Sequence, residues 1–533
     1  MNALLAAAAF PPFRTISDLL REHARHRPQA LAMCDEESTL NWKQFDRLVD
    51  AVAASLQRDG LCPGDVVALC ATSCARYAAV FLGILRSGAV VAPLSPSVTP
   101  QVLSAMLRDA QARVLFVDAS TRHLIQSDAV DPSTVVTLDQ AANELDVTSG
   151  PHCEHWNNWK SWDDWLEADG LLPTPVDTAP EDPCNIIYSS GTTDTPKGIV
   201  QSHGMRWAHV VRGMSFGYGT GSVTLLATPL YSNTTLVSFF SALGWGGCVR
   251  LMARFDALRY LQTAQAFRAS HTMLVPVQYQ RIMALPQFGE FDLASFKAKF
   301  CTSAPFRAEL KADVLARWPG GLVEFYGMTE GGGSCILVAH LHPDKLHTVG
   351  QPAATSDMRL IDEDGRELPA GAIGEIVGHS PGMMTGYHRR PDLTREVEWF
   401  DAQGKRFIRT GDVGRFDADG FLTLLDRRKD MIISGGFNIY PSDLETELRL
   451  HPGVDDVAVT GVPSEQWGET PVAFVRRRPG ATDEAAQILA WYNARAGKTQ
   501  RLAALHFIDD LPRSAIGKVL KRELRELHQK MSS

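Results

Sequence analysis

Nine cysteines are scattered through the 533 residues, and no two of them form a C-x-x-C pair. The odd count and the missing spacing argue against a disulfide framework and for free thiols in a reducing compartment. No stretch approaches the ~18 apolar residues that a bilayer span needs. The opening Met1-Asn-Ala-Leu-Leu-Ala-Ala-Ala-Ala-Phe10 has no basic region and only a short apolar run. It reads as an ordinary N-terminus and not as a signal peptide. A soluble, cytoplasmic protein is expected, with peripheral membrane contact left open. Basic charge is not in excess: the formal net charge is -9, spread along the chain, which argues against nucleic acid as the main partner. There is no internal repeat, and the G-x-x-x-x-G-K-[ST] spacing of a Walker A loop is absent.

What is present is a large core. Hydrophobic residues make up 45% and charged residues 21%, so global disorder is excluded, and the length allows about two to four domains. Helices are expected from Ile16 and from Asn41-Trp-Lys-Gln-Phe45, the second continuing through Leu48, Val52 and Leu56. Gly64–Leu69, Gly88–Pro93 and Val114–Val117 read as strands, alternating with helices at Arg76–Arg86 and 101–110. This alternation predicts parallel strands covered by helices. It resumes at Val223–Ala227, Cys248–Leu251, Thr272–Val275 and Lys299–Thr302. Residues 345–430 read as a small β-rich subdomain. The chain after 430 reads as a compact α+β unit, with strands at Val457–Thr460, Pro471–Arg476 and Leu505–Ile508 and helices at Glu484–Ala496 and Val519–Gln529. His155-Trp-Asn-Asn-Trp-Lys-Ser-Trp-Asp-Asp-Trp165 is expected to be a surface helix with an apolar edge. His152-Cys-Glu-His155 has metal-capable side chains, but no second cluster completes a site.

The chain is organised around Tyr188-Ser-Ser-Gly-Thr-Thr-Asp-Thr-Pro-Lys-Gly-Ile-Val200. A buried strand precedes it. The glycines let backbone N–H groups approach an anion, the hydroxyls add donors, and the lysine neutralises charge, which is what a polyphosphate requires. Five further segments join it. Cys301-Thr-Ser-Ala-Pro305 offers a small-residue ledge for a flat ring. Glu324-Phe-Tyr-Gly-Met-Thr-Glu330 supplies an aromatic face, a hydroxyl and a carboxylate. Arg409-Thr-Gly-Asp412 is expected to place a carboxylate in a tight turn that could grip vicinal hydroxyls. Asp426–Glu445 and Pro512-Arg-Ser-Ala-Ile-Gly-Lys-Val519 complete the set.

Together these motifs resemble the adenylate-forming (ANL) superfamily: acyl- and aryl-CoA synthetases, peptide-synthetase adenylation domains and luciferases. The resemblance runs from about residue 15 to 525. Ser434-Gly-Gly-Phe-Asn-Ile-Tyr-Pro-Ser-Asp-Leu-Glu445 looks most like bacterial fatty, alicyclic or aromatic acid–CoA ligases. It implies an α/β fold: a large multi-subdomain N-terminal domain with mixed or parallel sheets covered by helices (residues 1–428), and a small mobile α+β C-terminal domain (429–533) hinged near Lys429. No carrier domain follows residue 533, so a free-standing ligase is expected.

The resemblance also implies roles. Ser189, Ser190, Gly191, Thr192, Thr193 and Lys197 would embrace the ATP β- and γ-phosphates. Ala304 and Pro305 would line the adenine site, with Tyr326 stacking on the ring beside Gly327. Thr329 would bond the α-phosphate and Glu330 would hold Mg²⁺. Asp412, helped by Arg427, would take the ribose hydroxyls. Lys518 would reach the acid's carboxylate and the α-phosphate in the adenylation step. Ser434, Gly435 and Gly436 would admit the pantetheine of coenzyme A once the C-terminal domain had swung. Tyr231, Leu236, Gly331 and Gly332 would line the acyl pocket, with Phe239, Phe240 and the helix near Val277–Met283 as further wall, for an apolar acid.

Two positions depart from the family pattern. Asp194 stands where the phosphate loop usually has glycine, and Ser232 where a histidine is common. The expected activity is AMP-forming acid–CoA ligation. A carrier-protein thiol as acceptor and a non-catalytic acyl-nucleotide binder are the alternatives. A serine hydrolase built on Gly213-Met-Ser-Phe-Gly217 is disfavoured, because a helix and not a strand precedes Ser215. A homodimer is left open.

Overall fold

The computed structural model describes residues 11–125, 134–139, 159–167, 170–189, 196–427, 430–434, 437–497, 500–514 and 517–532. Contacts divide the chain into two units: residues 1–346, 352–357 and 379–408 form the first, and 347–351, 358–378 and 409–533 the second.

The first unit holds two sheets. One runs in the order Ser334–Val338, Gly321–Gly327, Ala298–Cys301, His271–Leu274, Val223–Leu226, Cys248–Leu251, Leu31–Cys34, Thr39–Asn41. From Gly321–Gly327 through Leu31–Cys34 its neighbours are parallel. The other runs Gly386–Tyr387, Lys197–Ser202, Pro183–Ser189, Val90–Pro93, Val66–Cys70, Val114–Val117, Thr134–Thr137, Trp159–Ser161. Its strands from Pro183–Ser189 onward are parallel. Burial on both faces explains why Val66–Cys70, Val90–Pro93 and Val114–Val117 read as continuous apolar runs with no polar alternation.

One core draws residues from both sheets and from the helices Trp42–Arg58 and Ala75–Arg86. Asn41 and Gln44 close a capping box at the start of the first helix, which buries Phe45, Val49, Val52 and Leu56, while Leu48 is only half-buried. The second helix is buried on every side. At Gly83 a Cβ would clash with Val52, so this glycine lets the two helices close on each other. Arg86, inside this packing, is held by Asp46 at 2.6 Å and Asp50 at 2.9 Å.

Two sequence expectations change here. The tryptophan segment is not a surface helix in its described part. Trp159–Ser161 is a strand paired with Thr134–Thr137, and the single helical turn Trp162–Trp165 turns both tryptophans inward. Trp165 stacks edge-on against Phe116, and its indole N–H donates to Asp59 at 2.8 Å. Sheet pairing and ring burial outweigh the helical spacing. His152-Cys-Glu-His155 lies outside the described residues. The strands Leu31–Cys34 and Thr39–Asn41, between the first two helices, were not anticipated.

In the second unit the strand Gly468–Arg477 pairs antiparallel with Val454–Ser464 and parallel with Ala504–Phe507, and the helices Pro441–Arg449 and Ala485–Asn493 contribute Leu444, Leu448, Ile488 and Tyr492 to the core beneath. A second cluster places Leu524, from the helix Lys521–Ser532, against Ala458, Val472 and Phe474. This is the α+β unit expected after residue 430. Among the described residues no helix is long and apolar enough to cross a membrane.

Candidate functional site

The carboxyl ends of neighbouring parallel strands gather most of the chemistry-bearing segments of the first unit. Thr228–Thr235 follows Val223–Leu226, Thr302–Phe306 follows Ala298–Cys301, and Met328–Gly333 follows Gly321–Gly327. This is the edge at which open α/β sheets bind ligands. Cys301 pairs with Glu324, so the Ser303-Ala-Pro305 ledge emerges beside Tyr326. Pro305 is exposed, Ala304 half-buried and Tyr326 buried. Ser303 has φ +83, an unusual backbone for a residue with a Cβ, and its hydroxyl shares a 2.5 Å hydrogen bond with Thr234. The strain is held in place by that bond and by the two strands, as is common where a ligand surface must be fixed. Beneath the ledge a buried Lys311–Glu324 ion pair joins the next helix to the strand of Tyr326, and Lys311 also donates to the Leu346 carbonyl at 2.8 Å.

The turn after Tyr326 is tightly braced. The phenol of Tyr387 donates to Glu330 Oε1 at 2.9 Å, and the N–H of Met384 donates to the Glu330 carbonyl at 2.8 Å. Burial and the Glu330 carboxylate push the Tyr387 phenol well above its usual range, so it remains a donor at neutral pH. Lys197 sits 5.8 Å from the centre of the same ring. Gly331 has φ +72, and a Cβ there would overlap the carbonyl oxygen of Gly382. Its missing side chain therefore serves a close backbone approach and does not open space for an acyl chain.

Asn185 and Gln201 lie on the antiparallel strands Pro183–Ser189 and Lys197–Ser202, which lead into and out of the phosphate loop. Lys197 is opposite Ser189 in the register. Residues 190–195, which include Ser190, Gly191, Thr192, Thr193 and Asp194, and the Ser189 side chain lie outside the described residues. Gln201, fully buried, donates from Nε2 to the Thr329 carbonyl at 2.7 Å. Its Oε1 accepts from Asn185 at 2.8 Å and also from Arg206. Arg206, 3% exposed, donates further to Asn185 Oδ1 at 2.8 Å and Asn233 Oδ1 at 2.9 Å. Burial lowers its pKa to about 10, which leaves it charged at neutral pH.

Other assigned side chains are distributed as follows. Tyr231 is partly exposed, and burial raises its phenol while a hydrogen bond with Ser95 acts the other way. Leu236, Phe239 and Phe240 are buried in the main core, where Phe81 meets both phenylalanines edge-on. Gly332 is buried. Ser232 is buried and precedes the helix Asn233–Gly244 without capping it through its side chain. Ser215 lies in a short 3-10 turn after a helix, which is no setting for a nucleophile elbow.

In the second unit Asp412 does not sit in a tight turn. It lies inside the 11-residue strand Arg406–Phe416. The turn-forming look of Arg-Thr-Gly-Asp is absorbed locally: Gly411 takes φ +71, and Thr410 Oγ1 accepts the Asp412 N–H at 3.0 Å while donating to the Ile376 carbonyl at 2.8 Å. Asp412 and Arg427 are direct cross-strand partners. Lys518 lies on a loop closed by its own backbone. Ser514 N–H donates to the Lys518 carbonyl at 2.8 Å, and Arg513 donates to the Gly517 carbonyl at 2.9 Å and pairs with the buried Asp456 at 2.6 Å. Ser434 is buried and pairs with Gly468 and Phe437. Lys429, Gly435, Gly436 and the Arg427 side chain lie outside the described residues.

Comparison with known proteins gives the class of protein to which this edge, with its lysine-bearing hairpin, its Ser303–Pro305 ledge and its Thr329–Glu330 turn, belongs. Residues 20–388 match the AMP-binding enzyme family and residues 443–518 its C-terminal domain, so the chain belongs to that family of adenylate-forming ligases. It is 33% identical over 510 residues to a feruloyl-CoA synthase of an Amycolatopsis species, covering 94% of this chain and 96% of that one. It is 30% identical over 531 residues to the fatty acid–[acyl-carrier-protein] ligase ScoC of Streptomyces coeruleorubidus, covering 97% of each. Among solved structures, ATP-bound MatB from Rhodopseudomonas palustris superposes with a TM-score of 0.84 at 28% identity, covering 97% of this chain and 100% of that one. The α/β fold and the family expected from the motifs are thus found.

Sequence reading missed Asn185, Gln201, Arg206, Asn233 and Tyr387. The signal for the first two was available: each is a long-armed amide in an otherwise apolar run, at a position that buries. Arg206 carried none, since a lone arginine on a helix defaults to the surface.

Proposed function

We propose that the protein is an AMP-forming acid–CoA ligase for a hydrophobic carboxylic acid. In the first half-reaction the acid's carboxylate oxygen attacks the ATP α-phosphorus, giving acyl-AMP and pyrophosphate. In the second the CoA thiol sulfur attacks the acyl carbon, giving the thioester and AMP, with the thiol proton passing to solvent. Lys197 and the 189–193 segment would bind the β- and γ-phosphates, Ala304, Pro305 and Tyr326 the adenine, Asp412 and Arg427 the ribose. Thr329 would hold the α-phosphate. Lys518 would meet the charge that develops between carboxylate and α-phosphate, where a fixed cation is worth most. Glu330 would hold Mg²⁺, an ion that takes one or two carboxylates and otherwise phosphate oxygens, and that would neutralise phosphate charge when bound. Residues 429–533 would move about Lys429 so that Ser434, Gly435 and Gly436 replace Lys518 for thioester formation.

The observation that carries this reading is the braced Thr329–Glu330 turn, tied through Gln201 to the strand that begins at Lys197. The acyl wall rests on Tyr231, Gly332 and the helix Pro276–Met283 more than on Leu236, which the core already occupies. A carrier-protein thiol is the second reading for the acceptor, favoured by the relative ScoC, a fatty acid–[acyl-carrier-protein] ligase. The test is AMP release with ATP and Mg²⁺ across fatty, alicyclic and aromatic acids, with CoA, with a phosphopantetheinylated carrier protein, and with neither. CoA-dependent turnover on one acid class is expected. Turnover with the carrier protein alone would replace CoA as acceptor, and silence on every acid with ATP still bound would sink the ligase reading.

A further inference from the structure

A buried guanidinium with no carboxylate beside it is unusual, because a desolvated charge normally needs an opposite one. Arg206 is such a group: among the described residues no acidic side chain pairs with it, and its hydrogen-bond partners are the amide oxygens of Asn185, Gln201 and Asn233, with the His209 Nδ1 at 3.4 Å. Its charge also faces the ring of Phe240 at 5.4 Å. Three amide oxygens met from three nitrogens of one guanidinium suit a fork of five donors, where a lysine would supply a point charge.

Each of those amides belongs to a different part of the site. Asn185 is on the strand entering the phosphate loop, and Gln201 on the strand leaving it. Asn233 opens the helix whose next residue, Thr234, holds the strained Ser303 of the adenine ledge. Gln201 donates from Nε2 to the Thr329 carbonyl at 2.7 Å and, more weakly, to Asn233 Oδ1 at 3.3 Å. We propose that Arg206 and Gln201 are positioning residues for adenylation: Arg206 orients the Gln201 amide, and Gln201 fixes the Thr329–Glu330 turn relative to both strands of the phosphate loop. The amide has only one orientation here, because Arg206 and Asn185 both need its oxygen and the Thr329 carbonyl needs its nitrogen. Buried hydrogen bonds of this kind rigidify a unique arrangement when every member is satisfied.

This inference rests on the ligase reading above, and the test separates the two. The informative variant is Gln201→Glu. A carboxylate still accepts from Asn185 and gives Arg206 an ion pair, so the fold keeps its bracing, but it has no proton for the Thr329 carbonyl and repels it. Wild type is first assayed for acid-dependent pyrophosphate–ATP exchange. Gln201→Glu is then expected to melt within about 2 °C of wild type, to lose at least about tenfold in exchange kcat with KM for ATP changed less than about threefold, and to form thioester from preformed acyl-AMP at the wild-type rate. Arg206→Lys, which keeps the charge and loses the fork, is expected to recover part of the exchange rate lost in Arg206→Met. No exchange in wild type would overturn the ligase reading and this inference with it. Active wild type with Gln201→Glu at the same kcat per folded molecule, whatever its melting temperature, would overturn the positioning role alone, as would an equal loss in both half-reactions.

Discussion

The turn bearing Thr329 and Glu330 and the loop bearing Lys518 are both proposed to act in adenylation, yet they are built by opposite means. The first is held by groups from distant parts of its unit: the Gln201 amide on the Thr329 carbonyl, the Tyr387 phenol on the Glu330 carboxylate, and the Met384 backbone N–H on the Glu330 carbonyl, with Gly331 pressed against Gly382. The second is shaped by its own neighbours, through Ser514, Gly517 and Arg513, and one ion pair to Asp456 anchors it. A group that must hold an anion still gains from long-range bracing. A group proposed to arrive and leave gains from a shape that survives the journey, and local hydrogen bonds travel with it.

The sharpest test of that contrast is Lys518→Ala. Removing the one cation proposed for the transition state should lower pyrophosphate exchange by about 10²–10³-fold, while thioester formation from preformed acyl-AMP stays near wild type and the melting temperature is unchanged. Equal loss in both half-reactions would take the lysine out of the role given to it. Next in size is Gly331→Ala. Here the left-handed backbone and the overlap with Gly382 act together, so the turn must shift. We expect about 2–3 kcal/mol of lost stability and a fall in pyrophosphate exchange per folded molecule, with thioester formation from preformed acyl-AMP spared, because the braced turn is proposed to act in adenylation. A variant as stable and as active as wild type would show that the turn is softer than its contacts imply.

How much of this was legible beforehand differs in the same way. Val114–Val117 was readable to the residue because a strand buried on both faces is apolar throughout. Lys518 and the Thr329–Glu330 pair stood out as motifs. The bracing did not, because its members are far apart in the chain: Gln201 meets Thr329 across 128 positions. Arg-Thr-Gly-Asp412 misled because glycine and aspartate are turn residues, whereas one positive φ at Gly411 lets the strand run on. Trp162 and Trp165 misled because ring burial against Phe116 and Asp59 is a tertiary fact that spacing does not carry.

Arg513→Met probes the local side of the contrast. It removes the ion pair with the buried Asp456 and the bond to the Gly517 carbonyl. If the loop's shape depends on that clamp, exchange should fall by about tenfold with the thioester step spared. The C-terminal part should also lose a few kcal/mol, on the order expected when one partner of a buried pair is removed. Restoring neutrality with Asp456→Asn in the same chain should recover stability but not the exchange rate. Recovery of both would mean that the clamp only balances charge and does not shape the loop.

At neutral pH acid has no effect, and below it the histidines distinguish the units. In the first unit burial lowers His203 and His271 to about 4 and holds His209 well below the usual imidazole range. His271 stacks on Tyr218 at 4.3 Å, with Nε2 hydrogen-bonded to the Phe216 carbonyl at 3.0 Å. At His203 and His271 the unfolded chain binds a proton near pH 6.5 and the folded one not until about 4, so stability is full above 6.5 and declines as pH falls towards 4. For a group shifted this far the whole window is worth about 3 kcal/mol. In the second unit His506 is lowered by burial and by His528, 2.9 Å away, but it is only partly buried, so its pull is weaker. Hydrogen exchange taken between pH 6.5 and 4 should therefore lose protection earlier in residues 196–346 than in 437–497. His271→Gln should flatten the slope of stability against pH while lowering stability at pH 7 through lost ring packing. An unchanged slope would mean that the acid sensitivity lies with other groups, and parallel loss of protection in both segments would mean that they unfold as one.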